Sequence, residues 1–146
     1  MEHRTHSPVR LTLFSVDEAN RVANEIRPDL QRLARMKLDL DRVAARLEVL
    51  KVVTEGVSDD NPDTRELVAL GERLGQLRQQ IAVGIEGIHR RGCLVKDVEK
   101  GLVDFYGLSG DRLIFLCWQM DEAEVGHWHP LAGGFAARRP LGSDSE

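Results

Sequence analysis

Apolar residues recur along this chain in two rhythms, and the change between them falls at Gly92. Upstream, Leu33, Leu40 and Leu47 stand seven apart, with Met36, Val43 and Leu50 interleaved at the three-residue step. Further on, Leu67, Leu74, Ile81 and Ile88 take one position of the repeat, and Leu70, Leu77 and Gly84 the other. Such spacing sets a narrow apolar seam along one side of each of two helices, over residues 29–54 and 62–91, the pattern of coiled-coil packing. Each helix is then roughly 40 Å long at 1.5 Å per residue. Residues 56–61 between them are too few for anything but an antiparallel return. Asn61 and Pro62 read as N-cap and first helical residue, with Asp63 at the positive end of the dipole. Gly92, after Arg90 and Arg91, reads as a left-handed stop.

Ahead of the hairpin, residues 10–14 alternate as a short strand. Ser15 with Glu18 three residues on forms a capping box, and Val16, Ala19, Val22, Ala23 and Ile26 give the helix that follows an apolar face. Pro28 predicts a kink or brief break, because it removes a backbone donor and pushes Arg27 out of helical geometry. Beyond Gly92 the period becomes two. Residues 93–97, 101–106, 112–120 and 123–129 read as four strands joined by turns at 98–100, 107–111 and 121–122. Short connections make them an antiparallel meander, with residues 10–14 placed to extend its edge. The expected fold is α+β: a kinked N-terminal helix continuing into a long antiparallel helical hairpin, then a small β-meander. One domain spans residues 1–146, divided into strand plus hairpin (10–91), meander and docking tail (92–141) and a disordered acidic tail (142–146). In that docking tail, Gly133–Gly134 bends the chain and Phe135 docks on the sheet.

One strand is apolar on both faces. Leu113, Phe115 and Cys117 alternate with Ile114, Leu116 and Trp118, so both sides need cover. A single hairpin covers one side; the other is covered by the N-terminal helix and C-terminal tail or, the favoured expectation, by a second copy in a homodimer.

Composition narrows the class. Of 146 residues, 42% are apolar and 30% charged, ordinary for a soluble protein. A net charge of −4 argues against nucleic-acid binding by bulk electrostatics. The arginines of the hairpin are interspersed with acids, as in Arg35–Asp39 and Lys37–Asp41, and read as a self-paired solvated face. Cys93 and Cys117 have no metal-type spacing. The N-terminal residues, His3, Arg4 and His6 among them, do not resemble a signal peptide, and no apolar run approaches a membrane span of roughly 20 residues. The cytoplasm is the expected compartment.

Gly101-Leu-Val-Asp-Phe105, Leu116-Cys-Trp118, Trp128-His129, Gly134-Phe135 and Arg138-x-Pro140-Leu141 resemble an uncharacterised prokaryotic family, domain of unknown function 2203. Its members also begin with a Phe-x-x-x-Glu-Ala-Asn stretch, seen here as Phe14-Ser-Val-Asp-Glu-Ala-Asn20, followed by a helical hairpin. The resemblance covers nearly the whole chain. It implies the architecture and brings no activity. The family pattern often has an aromatic residue ahead of the Trp-His pair, where this chain has His127.

His127-Trp128-His129 is the sharpest chemical candidate. Two apart on a strand, both imidazoles project from one face and form a workable pair of metal ligands. Asp104, Asp97 or Glu124 can supply a third, although Glu124 alternates onto the opposite face. Two histidines and a carboxylate suit zinc, iron or manganese. The plainer alternative has His129 bonded to a buried carboxylate and His127 partly exposed. In a second arrangement Asp104 and His129 form an acid–base pair roofed by Arg138, which grips an anionic group. Its structural counterpart ties the C-terminal tail to the sheet with the same three residues. His89 sits on a helix flank and is expected to face solvent. Two functions remain open: a dimeric binding or scaffold module without catalysis, or a small metal-dependent or acid–base enzyme around His129 and Asp104.

Overall fold

The computed structural model describes residues 11–142. Arg10 of the expected N-terminal strand, His3, His6 and the last four residues of the expected tail lie outside that range. Two helices, α1 (Val16–Val53) and α2 (Pro62–His89), precede the strands β1 (Cys93–Asp97), β2 (Leu102–Ser109), β3 (Arg112–Gln119), β4 (His127–Pro130) and β5 (Arg139–Pro140), with a 3-10 turn at Phe135–Ala137. The five strands form one antiparallel sheet in sequence order. The fold is α+β, a helical hairpin followed by a meander.

Local chemistry starts and stops the helices where the sequence says it should. The Ser15 hydroxyl accepts from the Glu18 amide at 3.1 Å while the Glu18 carboxylate accepts from the Ser15 amide at 2.9 Å, closing the capping box. Asn61 caps α2 through the Asp63 amide at 2.8 Å. Gly92 sits at φ +96°, against Thr12. Every seam position of the heptad pattern is buried or half-buried. Across the hairpin Arg46 pairs with Glu66 and Arg73 with Asp39. Lys37–Asp41 forms as expected, whereas Asp39 is taken by Arg73 and not by Arg35.

The break at Pro28 does not occur. The α1 helix runs unbroken through Pro28 for 38 residues, about 57 Å at helical rise. An interior proline costs about 3 kcal/mol. Against that, Ile26, Leu30 and Leu33 on the same face are wholly buried, each contributing about 1.5–3 kcal/mol. Tertiary burial therefore overrides the local preference.

The core lies between the first half of α1, the end of α2 and one face of the sheet. Ala19, Val22, Ala23, Ile26, Leu30, Leu33, Ile81 and Ile88 pack on Cys93, Val103, Phe105, Ile114, Leu116, Trp118 and Trp128. A second cluster of Val43, Leu47 and Leu77, with Leu67, Leu70 and Leu74, consists of helix residues alone. Thus one end of the hairpin packs on the sheet and the other packs on itself.

The strands differ from expectation at their ends. Residues 11–14 form no strand. Phe14 makes one backbone bond, to the Tyr106 carbonyl at 2.8 Å, and packs edge-on against Phe105. The β2 strand continues through Gly107, paired with Ile114, to Ser109, and Gly107 leaves room for the diagonally placed Leu116 side chain. The turn is the pair Gly110-Asp111, with Gly110 at φ +63°. β4 begins at His127 and not at residue 123, since side chains hold the preceding loop. Arg27 donates to the carbonyls of Met120, Glu122 and Ala123, and Asn20 accepts from the Val125 amide at 2.6 Å. The short β5 strand was not expected. Phe135 is 42% exposed and lies under the Arg138 guanidinium.

Two glycines of α2 test the packing. The open Gly75 has no atom within 4 Å of an added Cβ, so Gly75→Ala is expected to stabilise by about 0.5–1 kcal/mol. At Gly84 the same atom meets Leu33 Cδ2 at 2.7 Å. Gly84→Leu is therefore expected to cost about 2 kcal/mol. Denaturant midpoints of the two variants should move in opposite directions.

Candidate functional site

Registration of the central strands assembles the site on the sheet face away from the helices. Cys117 on β3 stands between Asp104 on β2 and His127 on β4, while His129 stands beside Phe115, two residues along. Alternation sends Trp118 and Trp128 to the helical core and leaves Asp104, Cys117, His127 and His129 on the other side. The His129 ring crosses β3 diagonally to place Nε2 3.0 Å from Asp104 Oδ2. One ligand atom each from Asp104, Cys117 and His129 lies within 4.8 Å of the other two. The three residues are 2%, 0% and 1% exposed.

Hydrogen-bond roles at His129 follow from its neighbours. Nδ1 lies 2.7 Å from the Pro130 carbonyl, which only accepts, so Nδ1 carries a proton. Nε2 faces a carboxylate oxygen: a protonated ring donates to it, and a neutral ring turns a lone pair toward it. The contact calls for positive charge at this oxygen, from a proton on the ring, from the Lys96 ammonium 3.4 Å away or from a metal ion. Asp104 Oδ1 is also buried and meets no hydrogen-bond donor of suitable geometry among the described residues. The Cys117 thiol is the neighbour within reach. Burial first, then the Asp104 carboxylate, push this thiol up to about 12, while Arg138 works in the other direction.

The remaining expected residues are employed elsewhere. The Arg138 guanidinium donates to both Glu122 oxygens, at 3.0 and 2.9 Å, and to His127 Nδ1 at 2.6 Å. Since Nδ1 of His127 accepts, a neutral His127 carries its proton on Nε2, the tautomer opposite to that of His129. His127 is thus tied to the tail and is not among the three clustered donors. Arg138 braces the tail against Glu122 beside the Asp104–His129 pair. Asp97 accepts from the Lys100 amide in a turn, and Glu124 is exposed in the loop before β4. His89 faces inward enough for Nε2 to accept from the Val95 amide at 3.1 Å.

Cys117, Lys96 and Glu122 were not singled out by sequence. Cys117 reads as one apolar residue of a two-faced strand until registration sets it opposite Asp104. Lys96 reaches the site through a bulge between Val95 and Asp97, and its ammonium lies 3.4 Å from Asp104 Oδ2. The residue stretches quoted for the family resemblance converge here, supplying Asp104, Cys117, His129 and Arg138 from four separate segments.

Among the described residues no helix is long and apolar enough to cross a membrane. A family model described as uncharacterized conserved protein (DUF2203) matches residues 12–141. No curated protein and no solved structure matches.

The buried thiols set an alkaline limit. Both are held above their ordinary value of 9.0, Cys93 at about 11 through burial and Cys117 at about 12. A raised folded value means that the folded state keeps the proton longer, so the stabilisation is complete below pH 9.0 and is lost as pH rises through the folded values. The denaturation midpoint of metal-free protein should fall above pH 9.0, and Cys117→Ala should blunt that fall.

Proposed function

We propose that this chain, which belongs to the DUF2203 family of uncharacterized conserved proteins, is a metal-binding protein whose ligands are Asp104, Cys117 and His129. The observation that supports this reading is the convergence of one ligand atom each from Asp104, Cys117 and His129 within 4.8 Å, with His129 Nε2 3.0 Å from a carboxylate oxygen. Histidines that bind metals commonly donate the other ring N–H to a backbone carbonyl, the role that Pro130 has toward Nδ1. A tetrahedral ion with bonds of about 2.0–2.3 Å keeps its donors roughly 3.5 Å apart. The three donors, now within 4.8 Å, therefore need to close by about 1.3 Å at most. One sulfur, one nitrogen and one oxygen suit zinc best and iron next, while manganese prefers oxygen ligands. Three protein ligands leave a fourth position, as in catalytic zinc sites, which favours a small metal-dependent enzyme over a purely structural ion. Of the two histidines read as a ligand pair, only His129 serves.

The test is the metal content of untagged protein, with cobalt uptake followed by its thiolate charge-transfer absorption. Wild type should take about one ion per chain. Asp104→Asn, Cys117→Ser and His129→Ala should each lose it, and His127→Ala should keep it. Loss in His127→Ala with retention in Cys117→Ser would sink this ligand set. His129→Ala is also expected to lower stability by about 3 kcal/mol or more, since it strands a buried carboxylate.

A second reading keeps the same cluster with a shared proton in place of the metal, in a cytoplasmic, dimeric binding or scaffold module without catalysis. Two features favour it: the burial of all three residues, and Leu108, which is 53% exposed beside half-buried Leu113 on the same sheet face. Light scattering separates the assemblies. A dimer should scatter at twice the 16.4 kDa chain mass, and Leu108→Glu should return it to the monomer.

A further inference from the structure

Lys96 is the only ammonium within ion-pair reach of Asp104 among the described residues, and it sits at a backbone irregularity of β1. Val95 pairs with Val103, and Asp97 pairs with the adjacent Leu102, so Lys96 is an extra residue on β1. Bulges of this kind re-aim a side chain. The Lys96 stem leads from solvent, where the side chain is 40% exposed, to a carboxylate that is 3% exposed. On the way its ammonium rests 4.6 Å from the centre of the Phe115 ring, whose other neighbours are His129 and Tyr106.

We infer that Lys96 is a resident counter-ion that guards the Asp104–Cys117–His129 centre and sets its threshold for metal. This rests on the metal-binding reading above. A buried carboxylate without a partner is costly, and the ammonium on Oδ2 supplies positive charge while no ion is bound. A divalent cation drawn to either oxygen of this carboxylate meets the ammonium at close range, and like charges repel. Metal entry is therefore opposed while Lys96 points inward and eased when it swings outward. Its flexible stem and half-exposed position make that motion possible without unfolding the sheet. Arg138, the other cation near the centre, is engaged by Glu122 and His127 and stays in place. The guard is thus one side chain on an outer strand, paired with one oxygen of the Asp104 ligand.

Chelator competition with zinc and cobalt on the full chain tests this. Lys96→Gln leaves a shorter polar side chain and removes the charge, and should bind either ion about tenfold more tightly, equal to about 1.4 kcal/mol. Lys96→Arg keeps the charge and should bind no more tightly than wild type. Lys51→Gln, far along α1, controls for net charge and should match wild type. Equal or weaker binding by Lys96→Gln would overturn the guard, as would equal tightening by Lys96→Arg or Lys51→Gln. If neither wild type nor Lys96→Gln takes up either ion, the metal reading itself has failed and the guard falls with it.

Discussion

An imidazole nitrogen and a carboxylate oxygen buried against each other set the terms for one whole face of this protein. Neither group tolerates the interior without positive charge between or beside them. The surroundings are arranged accordingly. Pro130 pins the far ring nitrogen of His129, Lys96 leans in through a bulge, and Arg138 is held close by its own acid, Glu122. Cys117 adds a donor that burial keeps protonated in the absence of a metal. The result is a buried aspartate, cysteine and histidine packed together, with one ion pair out to Lys96.

The other face explains why the site keeps its shape. Trp118 and Trp128 point into the helical core, so the strands carrying Cys117 and His129 are anchored from behind. The loop between those strands is held from α1 by Arg27 and Asn20, and Trp118 Nε1 donates to the Glu122 carbonyl at 3.2 Å. Helix and site are therefore linked through backbone carbonyls and amides. The N-terminal stretch from Phe14 to Asn20 takes part directly: Phe14 packs on Phe105, Ser15 and Glu18 start the helix, and Asn20 holds the loop.

What sequence revealed and what it concealed divide along the range of the interactions. The helical seam, both caps and the glycine stop rest on contacts a few residues apart, so periodicity and residue type sufficed. Pro28 misled because its local penalty is outweighed by Ile26, Leu30 and Leu33 meeting a sheet more than sixty residues away in sequence. Gly107 misled in the same way, since a glycine read as a turn makes room for Leu116 across the ladder. Asp104 with His129 was legible as a pair of suitable groups on neighbouring strands. Cys117 was not, because a thiol in an apolar run gains chemical meaning only once strand registration is known.

The far half of the hairpin invites a separate remark. Its apolar cluster is closed between the two helices and borrows nothing from the sheet. Fraying that starts at the turn can travel some way down before it reaches Leu33 and Ile81. Hairpin length is consequently a nearly free variable in this architecture: heptads removed in matched pairs from both arms would shorten the projection and leave the sheet, the loop clamp and the donor set as they are.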